Sequence, residues 1–273
     1  MPCRTWPQID ASLQYYLTLQ CYVHDRHPIS GSFAVNGLCY LYPEATRMLP
    51  RTWRALKSWQ AFTITRQGGP EGLESDACLQ HHLYSSNDAA ATCAADMLAT
   101  AIDGYLREQD MEQLRVSDVV FAQDDTVILL LGRSSRGDSS KAGRDQGVSL
   151  DDPFVAAVLK RRCQGKRPGD RVFPISPAAY AALCKKAAKH LGLHIGPPHS
   201  CRHTGASRDL ATGYRSFAEI QRRGRWKSTD SVQRYARVHA WYEAVERQPQ
   251  HIKELGASIL AQRPARPHRA KHE

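Results

Sequence analysis

The amino-acid sequence predicts a mainly α-helical protein with one small three-stranded β-sheet, an α+β class, arranged in two domains. Its 273 residues exceed the usual size of a single domain. Over most of the chain, apolar residues recur at helical spacing behind proline or aspartate residues that favour helix starts. Only residues 119–150 change to the short β-branched runs that are typical of strands.

The first 66 residues predict a small helical domain. Helices are expected over residues 10–24, 33–42 and 51–63, and Pro50 stands directly before the third. At 100° per residue, the two tryptophans and Leu56 of the third helix share one side, which should pack into the core of this domain. The opposite side carries three basic residues, which are called the basic ridge from here on: Arg51, Arg54 and Lys57. The ridge is expected either to contact a polyanionic partner or to be a solvated charged face.

A second domain is predicted over residues 88–246. Residues 67–87 are polar and contain Gly-Gly-Pro and Ser-Ser-Asn, so they are expected to be the linker that leads into it. The predicted elements of this domain are a helix over 88–105, strands over 119–121, 126–131 and 147–150, helices over 153–162 and 177–191, and three helical segments within 199–245. Residues 247–273 are expected to add a helix and a basic tail, which is disordered from residue 263 onward.

The charge of the chain points to a polyanionic partner. Lysine and arginine total 37 against 27 acidic residues, a formal net charge of +10. The excess is uneven, because residues 1–66 hold seven basic and three acidic residues, residues 67–198 hold 15 and 17, and residues 199–273 hold 15 and seven. Two basic parts of the chain could therefore hold one polyanion from different sides. The alternative is a solvated basic face plus a basic tail.

Composition disfavours several other classes of protein. The longest strongly apolar run, residues 127–131, is far shorter than the roughly 18 residues of a membrane helix, and the first residues lack the apolar core of a secretory signal. We therefore expect an intracellular protein without membrane contact. Its eight cysteines show no CxxC pair, so reduced thiols and no metal site are expected. Glycine-rich nucleotide loops are absent, so no cofactor is predicted.

The segment with the most chemical information begins at His199. On a helix that starts after Pro197-Pro198, His199 and Arg202 are three residues apart and share a face. An imidazole and a guanidinium beside a helix start form a good binding site for a phosphate. Farther along the chain comes Gly224-Arg225-Trp226, and Tyr235 lies nine residues after the tryptophan.

These residues resemble the signature of the tyrosine recombinases, also called the phage-integrase family. The family pattern is H-x-x-R-H, then G-H or G-W, then a tyrosine nine residues later. Upstream, Arg107 is followed after three, seven and eleven residues by Asp110, Leu114 and Asp118, as in the first box of the family, where the acidic residue is more commonly Glu. Lys141, before the last predicted strand, is similar in position to the catalytic lysine of the family's β-hairpin. The resemblance covers residues 88–245.

The resemblance implies a chemical role for each matching residue. Tyr235 would attack the scissile phosphorus and form a 3′-phosphotyrosine bond. Arg107 and Arg202 would bind the non-bridging phosphate oxygens, and Trp226 would donate its indole N–H to the phosphate.

Two further residues would move protons in that reaction. Lys141 would protonate the leaving 5′ oxygen, while His199 would either accept the tyrosine proton or bind the phosphate. Basic residues outside the reaction would set the affinity for DNA: Arg51, Arg54, Lys57, Arg225 and Lys227.

For the whole protein, the resemblance implies a C-shaped clamp of a helical core-binding domain and a catalytic domain around double-stranded DNA. It also implies recombination of a specific site without metal or cofactor, by a homo-tetramer on DNA that passes through a Holliday junction, and a monomer when free. Compact eukaryotic and retroelement-borne members look similar, which suggests a mobile element. The location would be the nucleus in a eukaryote and the nucleoid or cytoplasm in a bacterium.

Two other functions stay open at this point. The chain could be a DNA-binding protein that descends from such enzymes and no longer cuts, which the complete set of matching residues disfavours. It could also be a relaxase similar to type IB topoisomerases, which share the chemistry. The short length and the separate small first domain favour a recombinase.

Overall fold

The computed structural model describes residues 5–62, 69–123, 126–138, 143–196 and 200–267. These residues form two compact units, one up to residue 62 and one from residue 69 onward, and each unit is treated separately below. None of the helices in these ranges combines the length and the apolar character that crossing a membrane requires.

The first unit is a small helical bundle, in agreement with the prediction. Its described helices are α1 (Trp6–Tyr22), α2 (Pro28–Leu41), α3 (Ala45–Met48) and α4 (Pro50–Phe62). Prolines occupy the first turns of α1 and α2, where the missing N–H would have no helical partner. The core contains Leu17, Val35, Leu56 and Trp59, so the predicted apolar face of α4 does point inward.

The second unit is mainly helical and carries the sheet. Its described helices are α5 (Leu73–Tyr84), α6 (Ala89–Gly104), α7 (Glu108–Gln113), α8 (Pro153–Cys163), α9 (Pro177–His190), α10 (Ser200–Ala211), α11 (Phe217–Gly224), α12 (Thr229–Tyr235), α13 (Val238–Arg247) and α14 (Gln250–Ala261). The strands are β1 (Val119–Phe121), β2 (Val127–Leu131) and β3 (Gln146–Leu150).

The strands form an antiparallel meander with the order β1-β2-β3. Leu129, in the middle of β2, pairs with Val119 on one side and with Val148 on the other. Val127, Leu129 and Leu131 are buried and alternate with partly exposed residues, which is the period of a sheet with one covered face. The predicted three-stranded sheet is thus confirmed.

The prediction of a linker over residues 67–87 is wrong for most of that range, because the chain forms a helix there. α5 lies within it and packs against α6, α9 and α14, so the second unit begins well before residue 88. Ser75, Asp76 and Gln80 are buried in α5 alongside its apolar residues. Because helices cover α5 on several sides, its sequence lacks the one-sided apolar pattern that predicts a surface helix.

Two predictions for the C-terminal part also need correction. Four helices, not three, begin between residues 199 and 245, because the chain turns after Tyr235, where the Arg237 N–H donates to Ser207 Oγ at 2.8 Å. The prediction of disorder from residue 263 onward is wrong for residues 263–267. Arg263 donates to Gln80 at 2.8 Å, and Arg266 forms ion pairs with carboxylates of the same unit.

The close packing of α10 on α6 depends on Gly205. A Cβ atom at this position would lie 2.1 Å from the carbonyl oxygen of Ile102 and 2.7 Å from the ring of Tyr105. The obstacle is backbone, which cannot rotate aside as a flexible side chain would. Gly205 therefore sets the distance between the helix that carries Arg202 and the chain segment that leads to Arg107.

We expect Gly205→Ala to lower the free energy of unfolding by about 3 kcal/mol, because the added methyl group must push α10 away from α6. Urea unfolding followed by circular dichroism measures the effect. Gly169→Ala is the matched control in the same unit, since a Cβ there meets nothing within 4 Å, and it should change stability by less than about 0.5 kcal/mol. Equal effects of the two changes would contradict this account of the packing.

Candidate active site

Arg202 is the central residue of a cluster of arginine and aromatic side chains in the second unit, and this cluster is called the arginine pocket, or simply the pocket, from here on. Arg202 lies on the first turn of α10, and only 1% of its surface is exposed. Its Nη2 donates to the carbonyl oxygen of Gly224 at 2.9 Å, and its Nη1 donates to the carbonyl oxygen of Tyr105. Arg202 thereby joins the ends of α6 and α11 to α10. Both partners are neutral carbonyls, so the positive charge itself is not balanced by these bonds.

The surroundings of Arg202 disfavour its charged form. Burial, with the nearby guanidinium groups of Arg107 and Arg225, lowers the pKa of Arg202 to about 9, although Asp110 and Tyr235 act in the opposite direction. Across the described part of the chain, no carboxylate forms a salt bridge with Arg202. An anion bound beside Arg202 could therefore stabilise its charged form.

Asp110 connects the other two arginines of the pocket. Its side chain is buried and accepts hydrogen bonds from the backbone N–H of Arg107 at 3.1 Å and from Nη2 of Arg225 at 2.7 Å. The first bond caps α7 and sets the direction in which the chain leaves Tyr105. The second bond holds the Arg225 guanidinium, whose side chain is 5% exposed, inside the pocket.

Stacked rings form one wall of the pocket. The ring of Trp226 lies 5.0 Å from that of Tyr235 at an interplanar angle of 22°, and Tyr105 stacks on Trp226 at 6.1 Å. The guanidinium of Arg202 lies over both rings of the first pair, 4.9 Å from the centre of Trp226 and 5.3 Å from the centre of Tyr235. A cation over aromatic faces is attracted to them, which orients Arg202 and the rings together.

Tyr235 is the last residue of α12, and its position is set by contacts on both sides. Its carbonyl oxygen accepts a hydrogen bond from Ser207 Oγ at 3.0 Å, and its ring lies 4.6 Å from that of His203. Tyr235 itself is only partly buried. Its backbone is thus held against α10 while part of the side chain stays accessible to a ligand.

Several N–H groups in this pocket are buried without a hydrogen-bond partner among the described residues. They are Arg107 Nη1, Arg202 Nε, Arg225 Nε and Nη1, and the indole Nε1 of Trp226. Buried donors are rarely left unsatisfied in folded proteins, because each costs about 1–3 kcal/mol. A phosphate diester offers two non-bridging oxygens, which share one negative charge and could accept from such donors.

The pocket brings together four of the six residues predicted to be catalytic: Arg107, Arg202, Trp226 and Tyr235. The other two, Lys141 and His199, lie outside the described residues. No group of three or more His, Cys, Asp or Glu side chains is placed to hold a metal ion in the ranges that the structure describes.

The residues predicted to bind DNA fall into two groups. Those of the basic ridge are exposed on α4, and Lys227 is exposed beside Trp226. Arg225, the fifth residue predicted to bind DNA, differs in position, because its side chain is only 5% exposed and pairs with Asp110; its role in DNA binding stays a prediction. The reason for the burial of Arg225 is its backbone, which takes a φ of 55° at the end of α11, together with its ion pair to Asp110.

Sequence patterns did not reveal the buried residues that hold Tyr105 in place beside this pocket. The Tyr105 hydroxyl donates to Asp209 at 2.5 Å, and Asp209 forms ion pairs with Arg208, Arg215 and Arg266. Burial alone would raise the pKa of Asp209, yet these three cations hold it below its usual range. Such a buried ionic network fixes Tyr105, whose carbonyl binds Arg202. The closely spaced charges after residue 207 were the only signal of it in the sequence.

The basic ridge has the chemistry of a contact with the DNA backbone. We expect a variant with Arg51→Gln, Arg54→Gln and Lys57→Gln to bind duplex DNA more weakly and with less dependence on salt. The slope of log K against log salt should fall by roughly 0.9 for each phosphate that the variant no longer neutralises. Binding of a random-sequence duplex at several salt concentrations measures this slope. Arg26→Gln, another exposed arginine of the first unit, is the control, and a similar fall there would contradict a role for the ridge.

A buried set of arginine donors beside a partly exposed tyrosine is the arrangement expected of one class of protein: an enzyme that transfers a phosphodiester to a tyrosine hydroxyl. The comparison with family models agrees with this class, because the model described as the phage integrase family matches residues 76–240. The chain belongs to the phage integrase family, the tyrosine recombinases, which break and rejoin DNA strands.

Solved structures share the fold at low sequence identity. A structure of the Tn1549 transposon integrase in complex with circular intermediate DNA aligns with a TM-score of 0.61 and 12% identity, over 87% of this chain and 83% of that one. A lambda integrase dimer bound to a COC′ core site aligns with a TM-score of 0.58 and 16% identity, over 90% and 67%. The XerH recombinase bound to palindromic difH substrate gives 0.56 and 13%, over 87% and 70%. A search of curated proteins finds no match.

Proposed function

We propose that this chain recombines a specific DNA site and that Tyr235 is its nucleophile. One observation carries the proposal: the accessible tyrosine adjoins a buried pocket in which arginine and indole N–H groups lack partners within the described residues. Those donors are of the type that binds the two non-bridging oxygens of a DNA phosphate. A pocket for a neutral or cationic substrate would not collect three guanidinium groups around one carboxylate.

The proposed reaction is a transesterification that conserves the bond energy. The Tyr235 hydroxyl oxygen forms a bond to phosphorus as the bond from phosphorus to the 5′ oxygen breaks. The proton of the phenol passes to a base, for which we propose His199, and the leaving 5′ oxygen takes a proton, for which we propose Lys141. Arg107 and Arg202 bind the non-bridging oxygens while their charge increases. The reverse reaction, by a 5′ hydroxyl of another strand, rejoins the DNA.

We further propose that the active assembly is a homo-tetramer on two DNA sites, with a Holliday junction as the intermediate, and that the free protein is a monomer. The lambda structure is described as a dimer bound to a core site, and the XerH structure as a complex with a palindromic substrate, which supports an assembly of several protomers on DNA. The protein would act wherever its DNA is kept, in the nucleus or in the nucleoid.

A covalent-capture experiment tests the function and identifies the target sequence at the same time. The full chain is incubated with nicked duplexes that contain a randomised segment, the mixture is denatured with detergent, and DNA that stays attached to protein is sequenced. Enrichment of one sequence, attached through its 3′ phosphate, is the expected result. Adducts on all sequences together with relaxation of supercoiled DNA would indicate a topoisomerase. Binding without any adduct would indicate a protein that no longer cuts.

A further inference from the structure

Arg225 occupies a backbone position that most residues avoid. Its φ of 55° lies in the left-handed region, where a residue with a side chain costs about 1 kcal/mol and glycine costs almost nothing. In the family pattern the glycine and the aromatic residue are adjacent, whereas Arg225 stands between Gly224 and Trp226 here. A strained position held by a long charged residue suggests that the side chain has a function there.

The Arg225 side chain is directed into the protein, not toward the solvent. Only 5% of it is exposed, and its Nη2 donates to Asp110 at 2.7 Å. Burial, with the charge of Arg107, lowers the pKa of Arg225 although Asp110 opposes the shift. The ion pair therefore does not fully compensate the buried cation, and an additional anion would stabilise it.

Two donors of Arg225 lack partners within the described ranges, namely Nε and Nη1. Contacts hold the three arginines together, because Arg202 donates to the carbonyl oxygen of Gly224, the residue before Arg225, and Asp110 accepts from the Arg107 backbone N–H and from Arg225. The Nη1 of Arg107 and the Nε of Arg202 are likewise buried without a partner among the described residues. One anion could therefore accept hydrogen bonds from all three arginines, while Asp110 keeps hold of Arg225 through Nη2.

We propose that Arg225 is a third phosphate-binding arginine of the active site, in addition to Arg107 and Arg202, and that Asp110 positions it. This inference rests on the proposed function, since the ligand is the scissile phosphate of DNA. Arg225 donates Nε and Nη1 to the phosphate oxygens and is thus a catalytic residue, whereas Asp110 acts only through the arginines.

The charges of the pocket explain why a third arginine would matter. Among the described residues, the pocket holds three guanidinium groups and one carboxylate, a net charge of two positive units. A phosphodiester carries one negative charge, and attack by a tyrosinate produces a five-coordinate phosphorus with two. A cation at the position of Arg225 is therefore attracted more strongly to the two negative charges of the transition state than to the single charge of the ground state. Arg225 should therefore accelerate cleavage more than it strengthens DNA binding.

The first test measures binding of inorganic phosphate to the full chain by the rise in melting temperature. Arg225→Gly removes the side chain at a position where glycine fits the backbone, and Arg222→Gln removes an exposed charge from the same helix as the control. We expect phosphate affinity to fall about 10-fold or more in Arg225→Gly and to stay unchanged in Arg222→Gln. If Arg225→Gly binds phosphate as tightly as the wild type does, the proposal is overturned, whether or not the protein cleaves DNA.

The second test uses the DNA sequence recovered by covalent capture. Arg225→Gly and Arg225→Lys should form the covalent adduct about 10²-fold to 10³-fold more slowly than wild type while binding the same duplex within a few-fold. A neutral methylphosphonate at the scissile position removes the charge that Arg225 stabilises, so the difference between variant and wild type should shrink to less than about 10-fold on that DNA. A merely structural role of Arg225 would slow both substrates equally, and that result overturns the proposal.

The two ways in which these tests can fail are distinguishable. If the wild-type protein forms no adduct, the proposed recombinase function fails, and phosphate binding still decides the role of Arg225. If the wild type cleaves and Arg225→Gly cleaves as fast, recombination stands and the third arginine is rejected.

Discussion

Tyr235→Phe should abolish formation of the covalent protein–DNA adduct, with a loss of at least about 10⁴-fold in cleavage rate. The change removes only the hydroxyl oxygen that would bond to phosphorus. The remaining ring keeps its contacts with Trp226 at 5.0 Å and with His203 at 4.6 Å, and its backbone keeps the bond from Ser207. DNA affinity and melting temperature should therefore stay close to the wild-type values.

Gel separation of the adduct under denaturing conditions measures this effect. Tyr242→Phe is the matched control, because Tyr242 lies on α13 of the same unit and is half exposed. The control should form the adduct at the wild-type rate. An adduct formed by Tyr235→Phe would mean that another residue is the nucleophile, and its position could then be found by mass spectrometry of the attached peptide.

The sheet and most of the helices could be predicted because their signals are local. β2 is a short, wholly apolar run, and β3 alternates polar or small residues with Val148 and Leu150, so each strand carries its signal within its own residues. The starts of α8 and α9 follow from a capping residue with a proline behind it: Asp152 accepts from the Phe154 N–H, and Ser176 accepts from the Ala179 N–H. Such bonds join residues that are two or three positions apart.

α5 and the C-terminal tail could not be predicted because their partners are distant in sequence. Gly256 of α14 lies so close to α5 that a Cβ would be 2.5 Å from the backbone of Glu74. Arg266 forms ion pairs with Asp103, Asp152 and Asp209, which come from three separate parts of the chain. No pattern within either segment shows that these partners will be there, and both segments have the polar composition of a linker or a disordered end.

The candidate site, like the fold, could be predicted from the sequence only in part. The spacings of the motifs were sufficient to select Arg107, Arg202, Trp226 and Tyr235, which the fold places in one pocket. They were not sufficient to separate Arg225 from surface residues, because burial of its side chain depends on Asp110, 115 positions away. The burial of a side chain that pairs with a distant partner can be recognised only in the folded structure.

Arg202→Met should lower the rate of adduct formation by about 10²-fold to 10³-fold and leave the free energy of unfolding within about 1–2 kcal/mol of wild type. Two effects on stability oppose each other. A pKa of about 9 means that the fold holds the cation at a cost of several kcal/mol, which methionine would remove. Against this, the carbonyl oxygens of Tyr105 and Gly224 lose their donors, at about 1–3 kcal/mol for each.

Arg215→Met is the matched control for this prediction, since Arg215 is equally buried but forms ion pairs with Asp209 and Asp151. Removing it leaves buried carboxylates with fewer partners, so we expect a loss of about 3–5 kcal/mol in urea unfolding. The contrast follows from what the fold supplies: carboxylates for Arg215, and only neutral carbonyls and aromatic faces for Arg202. Similar losses for both variants would contradict the view that Arg202 is kept for an external anion.

The dependence of stability on the protonation of Arg202 also indicates that this residue is kept for an external anion. Because its pKa in the folded protein lies below the ordinary value, the cost of the buried cation is fully present below pH 9 and is relieved only as the pH rises above that value. At neutral pH, a bound anion can therefore offset the cost of the buried Arg202 cation. Inorganic phosphate should raise the melting temperature of the wild type, and the rise should be much smaller in Arg202→Met. If phosphate stabilised both proteins equally, the anion would have to bind elsewhere, and the proposal that Arg202 binds the phosphate would be rejected.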